Sequence, residues 1–242
     1  MAGLGTLINV SLIIIGSTIA LFLRQGMKES LKNTLMVVCG VIVLLLGFSG
    51  ALQHMLIIKD GTLQGSDPLM MLLSLIFGAI IGELIDIEKR VEVFGDWLKQ
   101  KSGNSGDANF TTAFLTASIT FCVGAMGVIG AIQDGIQMDP TTLIVKGILD
   151  GIVAMIMTSS LGKGALFSFI PVGLMQWSIT AMSSVAAPYV TPEAMANLSY
   201  VGSILIFCIG INLIWPNKVR VANLLPAIFL AVIFAFVPGI HL

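Results

Sequence analysis

The chain has 242 residues, 56% of them hydrophobic and only 10% charged, with a mean hydropathy of +1.00. A soluble domain carries about 25% charged residues, so the composition excludes a water-soluble fold and leaves an integral membrane protein whose first partner is the lipid bilayer. A formal net charge of −1 provides no basic surface for nucleic acid.

A bilayer core takes about 20 apolar residues of helix. Eight stretches meet that length, at roughly 4–23, 33–53, 68–87, 110–133, 141–161, 164–184, 194–215 and 222–239. They lack the alternation of a membrane barrel, so strands are not expected. The predicted fold is all-α, with about eight transmembrane helices in a single polytopic domain over residues 1–242.

The first stretch, Leu4 to Leu23, has no basic region before it and reads as a retained helix rather than a signal peptide. It carries Asn9 and Ser11. The second contains Gly47-Phe-Ser-Gly50, a string found in intramembrane serine proteases. That chemistry needs a histidine on another helix as general base. His54 ends the same helix and His241 sits at the C-terminal tip, so no enzyme is predicted. The third stretch places Glu83 about one turn inside its cytoplasmic edge, where it either snorkels or gates an inner vestibule.

The loop at about 88–109 has two parts. Glu88 to Lys101 sets Val91, Phe94, Trp97 and Leu98 on one face of a charged helix, the pattern of an amphipathic helix on the inner membrane surface. Ser102-Gly-Asn-Ser-Gly-Asp107 follows as a linker.

Polar content is densest in the fourth and fifth stretches. Thr116, Ser118 and Thr120 occupy the inner half of the fourth. Gly124, Gly127 and Gly130 then recur every three residues, a spacing that allows close packing or local unwinding with carbonyls freed for a cation. Gln133 and Asp134 close that stretch at its outer end. On the fifth, Lys146 lies about 8 Å below the outer surface and Asp150 roughly 6 Å deeper, one helical turn apart. A carboxylate at that depth costs about 2.5–3.5 kcal/mol on insertion scales. Two readings stay open. The pair only locks the helix into the bundle, or Asp150 exchanges between Lys146, a proton and a cation.

In the remaining stretches Gln176, Asn212 and Asn223 are buried amides, most of which bridge helices. Asn9 and Asn223 are the better cavity candidates. Pro171 and Pro226 are expected to kink their helices. Cys39, Cys122 and Cys208 are odd in number and widely spaced, which gives neither a disulfide framework nor metal-ligand spacing.

Loop charge sets the orientation. Arg24, Lys28, Lys32, Lys89, Arg90, Lys99, Lys101, Lys163, Lys218 and Arg220 all fall on one side, leaving Lys59 and Lys146 as the exceptions. Asp60, Asp67, Asp134, Asp139 and Glu193 fall on the other. Both termini are therefore expected outside the cytoplasm. The second and seventh stretches also align, Gly47 beside Gly210, with Glu29-Ser and Pro192-Glu runs before them. Five helices separate the matched pair, so the repeat, the first three helices with the last three, would be inverted, as in secondary transporters.

Gly5-Thr-Leu-Ile-Asn-Val10, Gly82-Glu-Leu-Ile-Asp-Ile-Glu88, Phe121-Cys-Val-Gly-Ala-Met-Gly-Val-Ile-Gly-Ala-Ile-Gln-Asp-Gly135, Lys146-Gly-Ile-Leu-Asp-Gly151 and Val221-Ala-Asn-Leu-Leu-Pro226 resemble the YdfK-type bacterial membrane proteins, domain-of-unknown-function family 554. The resemblance covers nearly the whole chain. It departs at Ala125, where most members carry proline. It implies a bacterial inner-membrane location and a transport role, without an established activity.

The reading that combines these features is a secondary transporter or ion-coupled carrier of a small solute. Asp150 is its mid-membrane ion or proton site and Lys146 the internal counter-ion. Asp134 and Gln133 form the outer mouth, Thr116, Ser118 and Thr120 the inner lining, Asn9 and Asn223 further cavity groups, and Glu83 the inner gate. No cofactor is expected beyond a coupling ion, Na+ or H+. A passive channel, or a scaffold or sensor acting through the amphipathic loop, is the alternative. Small-residue faces on the second, fourth and seventh stretches suggest a homodimer.

Overall fold

The computed structural model describes residues 2–24, 28–59, 61–65, 68–123, 125–186, 188, 191–216 and 218–237. Asp60, Asp67, Gly124 and His241 lie outside the described residues, as do the side chains of Arg24, Glu29, Lys32, Cys39, Lys59 and Ala125.

In chain order the elements are α1 (Leu4–Arg24), α2 (Glu29–Met55), a hairpin of β1 (Leu56–Lys59) and β2 (Thr62–Gly65), α3 (Leu69–Ile85), α4 (Ile87–Lys101), α5 (Phe110–Cys122), α6 (Ala125–Ile136) and α7 (Thr141–Leu161). A 3-10 segment, Lys163–Ser168, then runs into α8 (Phe169–Ala181), followed by α9 (Ser183–Ala186) and α10 (Pro192–Ile214). A second 3-10 segment, Val221–Leu224, precedes α11 (Pro226–Phe234). Among the described residues five helices are long and apolar enough to cross a membrane, and up to seven spans result if α3–α4 and α5–α6 are each one broken span. The chain is a helical membrane protein.

Three sequence expectations change. The antiparallel hairpin pairs Leu56 with Gly65 through Lys59 with Thr62, around Gly61 at φ +73°. An Asp-Gly pair between two short β-prone runs is a known signal for such a turn. The prolines stand near the junctions of 3-10 and α-helix, with Pro226 the first residue of α11 and Pro171 the third of α8. Lastly, the fourth stretch is two helices, α5 and α6, meeting at 61°.

The contacts divide the chain into two compact units, each drawn from separated stretches of sequence. The first comprises residues 1–39, 90–122 and 126–188. Here α1 and α7 run in the same direction, since Gly5 meets Leu143, Asn9 meets Gly147 and Leu12 meets Gly151. Their backbones nearly touch, and a Cβ on Gly16 would collide with the Gly151 carbonyl oxygen. Leu98, Phe110 and Phe114 form a buried core with Val91, Phe167 and Ile170 packed against it. The apolar face of α4 is thereby divided. Leu98 and Gly95 are buried, whereas Phe94 and Trp97 stack on each other at 5.7 Å and stay exposed.

The second unit comprises residues 40–89, 123–125 and 189–242. Met70, Ser74, Gly78 and Gly82 recur every fourth residue and make the buried stripe of α3. Gly78 and Gly82 meet Ala227 and Asn223, so α11 and its 3-10 lead lie antiparallel on α3. Leu72, Ile76, Phe77, Ile80 and Leu84 of α3 are exposed apolar surface suited to lipid. α2 and α10 also cross antiparallel, with Gly47 against Phe207, Gly50 against Ser203, Gly40 against Leu213 and Gly210 against Leu44. The small-residue faces expected to meet a second copy are thus occupied within the chain, as are Gly127 and Gly130 of α6, which meet Lys146 and Leu143. Gly47 and Gly50 of the protease-like string have this packing role.

Candidate functional site

The buried face of α7 comprises Leu143, Lys146, Gly147, Asp150, Gly151 and Ala154, spaced three and four apart, while Val145, Ile148, Leu149 and Ile152 face outward. This periodicity brings both charges inside. Lys146 and Asp150 are 7% and 8% exposed. The Lys146 ammonium donates to Asp150 Oδ2, closing the pair anticipated from sequence. It also donates to the Phe121 carbonyl at 3.0 Å.

That carbonyl belongs to the last turn of α5, just before the chain bends into α6. A helix leaves its last four carbonyls without helical partners, and lipid offers none. Lys146 supplies a charged donor at this point. Gly127 on α6 makes room for its stem, since a Cβ there would lie 3.3 Å from Lys146 Cε and 3.9 Å from Gln176 Nε2. Close packing and local unwinding, alternatives in the sequence, thus occur together. Gly127 and Gly130 pack, and the helix breaks before them.

Two amides complete the setting. Asn9 on α1 packs over Gly147, and its side chain interacts with Asp150, yet neither amide atom reaches a partner in regular hydrogen-bond geometry. Gln176 on α8 is fully buried, and neither its Oε1 nor its Nε2 has a hydrogen-bond partner. The Cys122 thiol lies within electrostatic reach of both charges. Five helices of the first unit therefore converge on the ion pair.

The other residues singled out from sequence fall elsewhere. Asp134 is fully buried, and its Oδ2 accepts the Gly5 N–H at 3.0 Å. A carboxylate at a helix N-terminus is favoured by the peptide dipoles, so Asp134 caps α1. Gln133 Oε1 accepts the Thr142 hydroxyl at 2.6 Å and ties α6 to the first turn of α7. Both sit at the α7 end that bears Leu143, away from Asp150 along the helix. Thr120 donates to the Thr116 carbonyl at 2.7 Å, and the Ser118 hydroxyl is buried without a partner. In the loop beyond α6, the Thr141 hydroxyl and N–H, at 2.6 and 3.0 Å, hold the Asp139 carboxyl below its usual range.

Glu83 and Asn223 belong to the second unit and form a cluster of their own. Asn223 accepts the Glu88 N–H at 2.7 Å and donates to Glu83 at 2.9 Å. Arg220 pairs with Glu83 at 2.5 Å and with Asp86. The Asp86 hydrogen bond, with the charges of Glu83, Asp86 and Glu88, holds the Arg220 guanidinium above its usual value. Arg220, Asp86, Gln176 and the Phe121 carbonyl were not among the predicted site residues. The one sequence signal for the Phe121 carbonyl was the glycine run after it. Gln176 had none beyond being a buried amide.

Comparison with known proteins adds family membership. The family described as Protein of unknown function (DUF554) matches residues 4–236. "Uncharacterized membrane protein YdfK" of Bacillus subtilis (strain 168) is 28% identical over 233 residues, 96% of either chain. "Uncharacterized protein YqgA" of Escherichia coli (strain K12) is 28% identical over 232 residues, 94% of either chain. No solved structure matches.

Proposed function

We propose that this chain, which belongs to the DUF554 family, is a secondary transporter or ion-coupled carrier of a small polar solute in the bacterial inner membrane, with Asp150 as its mid-membrane ion or proton site. The observation that carries the proposal is the meeting of a broken helix with a buried, paired carboxylate. Lys146 bridges the end of α5 to Asp150, the Asn9 side chain interacts with Asp150, and the buried Gln176 amide beside Gly127 has no hydrogen-bond partner. Discontinuous helices with ionisable groups at mid-depth are the usual construction of transporter sites.

The topology proposed is eight spans with both termini outside the cytoplasm. Helix directions within each unit support it. α1 and α7 run parallel, as the first and fifth spans must, while α2–α10 and α3–α11 are antiparallel, as the second and seventh and the third and eighth must be. The inverted repeat is part of the proposal. Residues 40, 44, 47 and 50 align with 203, 207, 210 and 213, each 163 positions on. Under that shift the Gly47–Phe207 contact becomes Gly210–Leu44, and Gly50–Ser203 becomes Leu213–Gly40, which are the contacts made. Any antiparallel helix pair shows this exchange, so the repeat rests on the sequence alignment of the two helices.

The scaffold reading draws on one observation, the closed Lys146–Asp150 pair. Thermal unfolding of the purified protein across neutral, anionic and zwitterionic solutes, repeated on Asp150→Asn, separates the two. A carrier gains stability saturably with at least one solute, and Asp150→Asn loses that gain. If no solute moves the midpoint, or if the shift survives the substitution, the site assignment fails. Counterflow of the active solute in proteoliposomes then tests transport directly.

A further inference from the structure

We propose that the Lys146 ammonium is the built-in occupant of a monovalent-cation site formed by the carbonyl end of α5 and the Asp150 carboxylate. The wild-type protein then needs no alkali cation at this point, and a chain without the Lys146 charge acquires one. This rests on reading the Asp150 cluster as a binding site and narrows that reading, since with Lys146 in place Asp150 exchanges with a proton or the solute and not with Na+ or K+.

The ligand set carries the argument. A carbonyl at the end of a half-helix, with the negative pole of the peptide dipoles behind it, and a carboxylate facing it are the groups that hold Na+ or K+ in transporters with discontinuous helices. Here both bind one ammonium, through Phe121 O at 3.0 Å and Asp150 Oδ2. The Asn9 side chain also interacts with Asp150 and stands at the edge of this ligand set. An ammonium and an alkali ion carry the same charge and use the same oxygens, so they exclude each other.

The fold also shapes a path for the tether. Gly127 leaves the space that the Lys146 stem crosses, and Gly147 lets α1 pack closely at Asn9. A lysine whose task were to neutralise Asp150 alone would need no second contact on α5. The bond to Phe121 places the ammonium at the helix break, where a free cation would sit. Truncating the side chain leaves the carboxylate and the carbonyl facing a space once filled by a cation.

The test is thermal unfolding of wild type, Lys146→Ala, Lys146→Met and Lys146→Ala/Asp150→Asn in Li+, Na+, K+ or N-methylglucamine chloride at constant ionic strength. The wild-type midpoint is expected to be the same in all four. Lys146→Ala is expected to be less stable in N-methylglucamine and to recover saturably in at least one alkali cation. Lys146→Met, which fills the tether path with an apolar chain, recovers less, and the double variant not at all. If Lys146→Ala folds only with an alkali cation present from extraction onward, the proposal is supported; if it folds in none, or responds to none, the proposal is overturned. An Asp150-dependent response of the wild type to Na+ or K+ overturns it equally. Solute stabilisation of the wild type is measured separately, so a failed cation site leaves the carrier reading standing.

Discussion

Replacing Asp150 with leucine and Lys146 with methionine, singly and together, probes the energetics of the site. Both side chains are about nine-tenths buried. Asp150→Leu leaves the ammonium with Phe121 O alone, and removing one partner of a buried pair costs about 3–5 kcal/mol. Lys146→Met leaves the carboxylate and the carbonyl without their shared donor, for a similar loss when measured in N-methylglucamine. The double variant buries no charge. Its residual defect is the orphaned Phe121 carbonyl, about 1–3 kcal/mol. Independent effects would sum to about 6–10 kcal/mol, so the cycle should show a coupling of at least about 3 kcal/mol, with the double variant more stable than either single one. Reversible unfolding in micelles reads all four proteins. Additive losses, or a single variant costing under about 1 kcal/mol, would falsify the view that the pair and the helix end form one unit.

Four further outcomes follow from the geometry. Gly16→Val pushes a side chain into the Gly151 carbonyl and should cost about 1–3 kcal/mol or more through overpacking, measured as a lowered unfolding midpoint. Gly106→Ala, with nothing within 4 Å of the added carbon, should stay within about 0.5 kcal/mol of wild type. Arg220→Ala removes contacts to Glu83 and Asp86 at a half-exposed site, so the unfolding midpoint should fall little, and less still in high salt. The Asp139 carboxyl is held below its usual range by Thr141. A depressed carboxyl contributes stability above the unfolded value of about 4, lost as acid titrates it below that. Thr141→Val should move the Asp139 titration upward toward the ordinary value, observed by carboxyl NMR; an unchanged titration refutes the hydroxyl's role.

The helices were legible because lipid imposes a length on every span and because apolar runs of that length have no competing use. The Lys146–Asp150 contact was legible for a similar reason, as a four-residue spacing fixes a shared helical face. What escaped depends on sequence-distant partners. Glu83 looked like an isolated gate until Arg220, 137 positions away, paired with it. Asp134 looked like a mouth residue because the α1 N-terminus, 129 positions away, is invisible from its neighbours. The helix break was only half visible. A glycine every third residue permits both packing and unwinding, and both occur here because Lys146 satisfies a carbonyl at the break.

That dependence bears on the choice between a lock and a site. A break in an apolar span leaves carbonyls that need donors, and a buried carboxylate needs a cation. Lys146 meets both needs with one group, so the break and the carboxylate stabilise each other and neither is favourable alone. A lock of this kind could be replaced by apolar residues with little loss, since buried ion pairs rarely outperform well-packed hydrophobic substitutes. It also gives no reason to bury Gln176 beside it, whose amide atoms each forgo hydration worth about 1–3 kcal/mol without gaining a protein partner. Ligand recognition does give a reason. Two amides flanking a neutralised charge pair offer donors and acceptors on a surface with no net charge. A small polar solute could engage them without the cost of burying an unpaired ion.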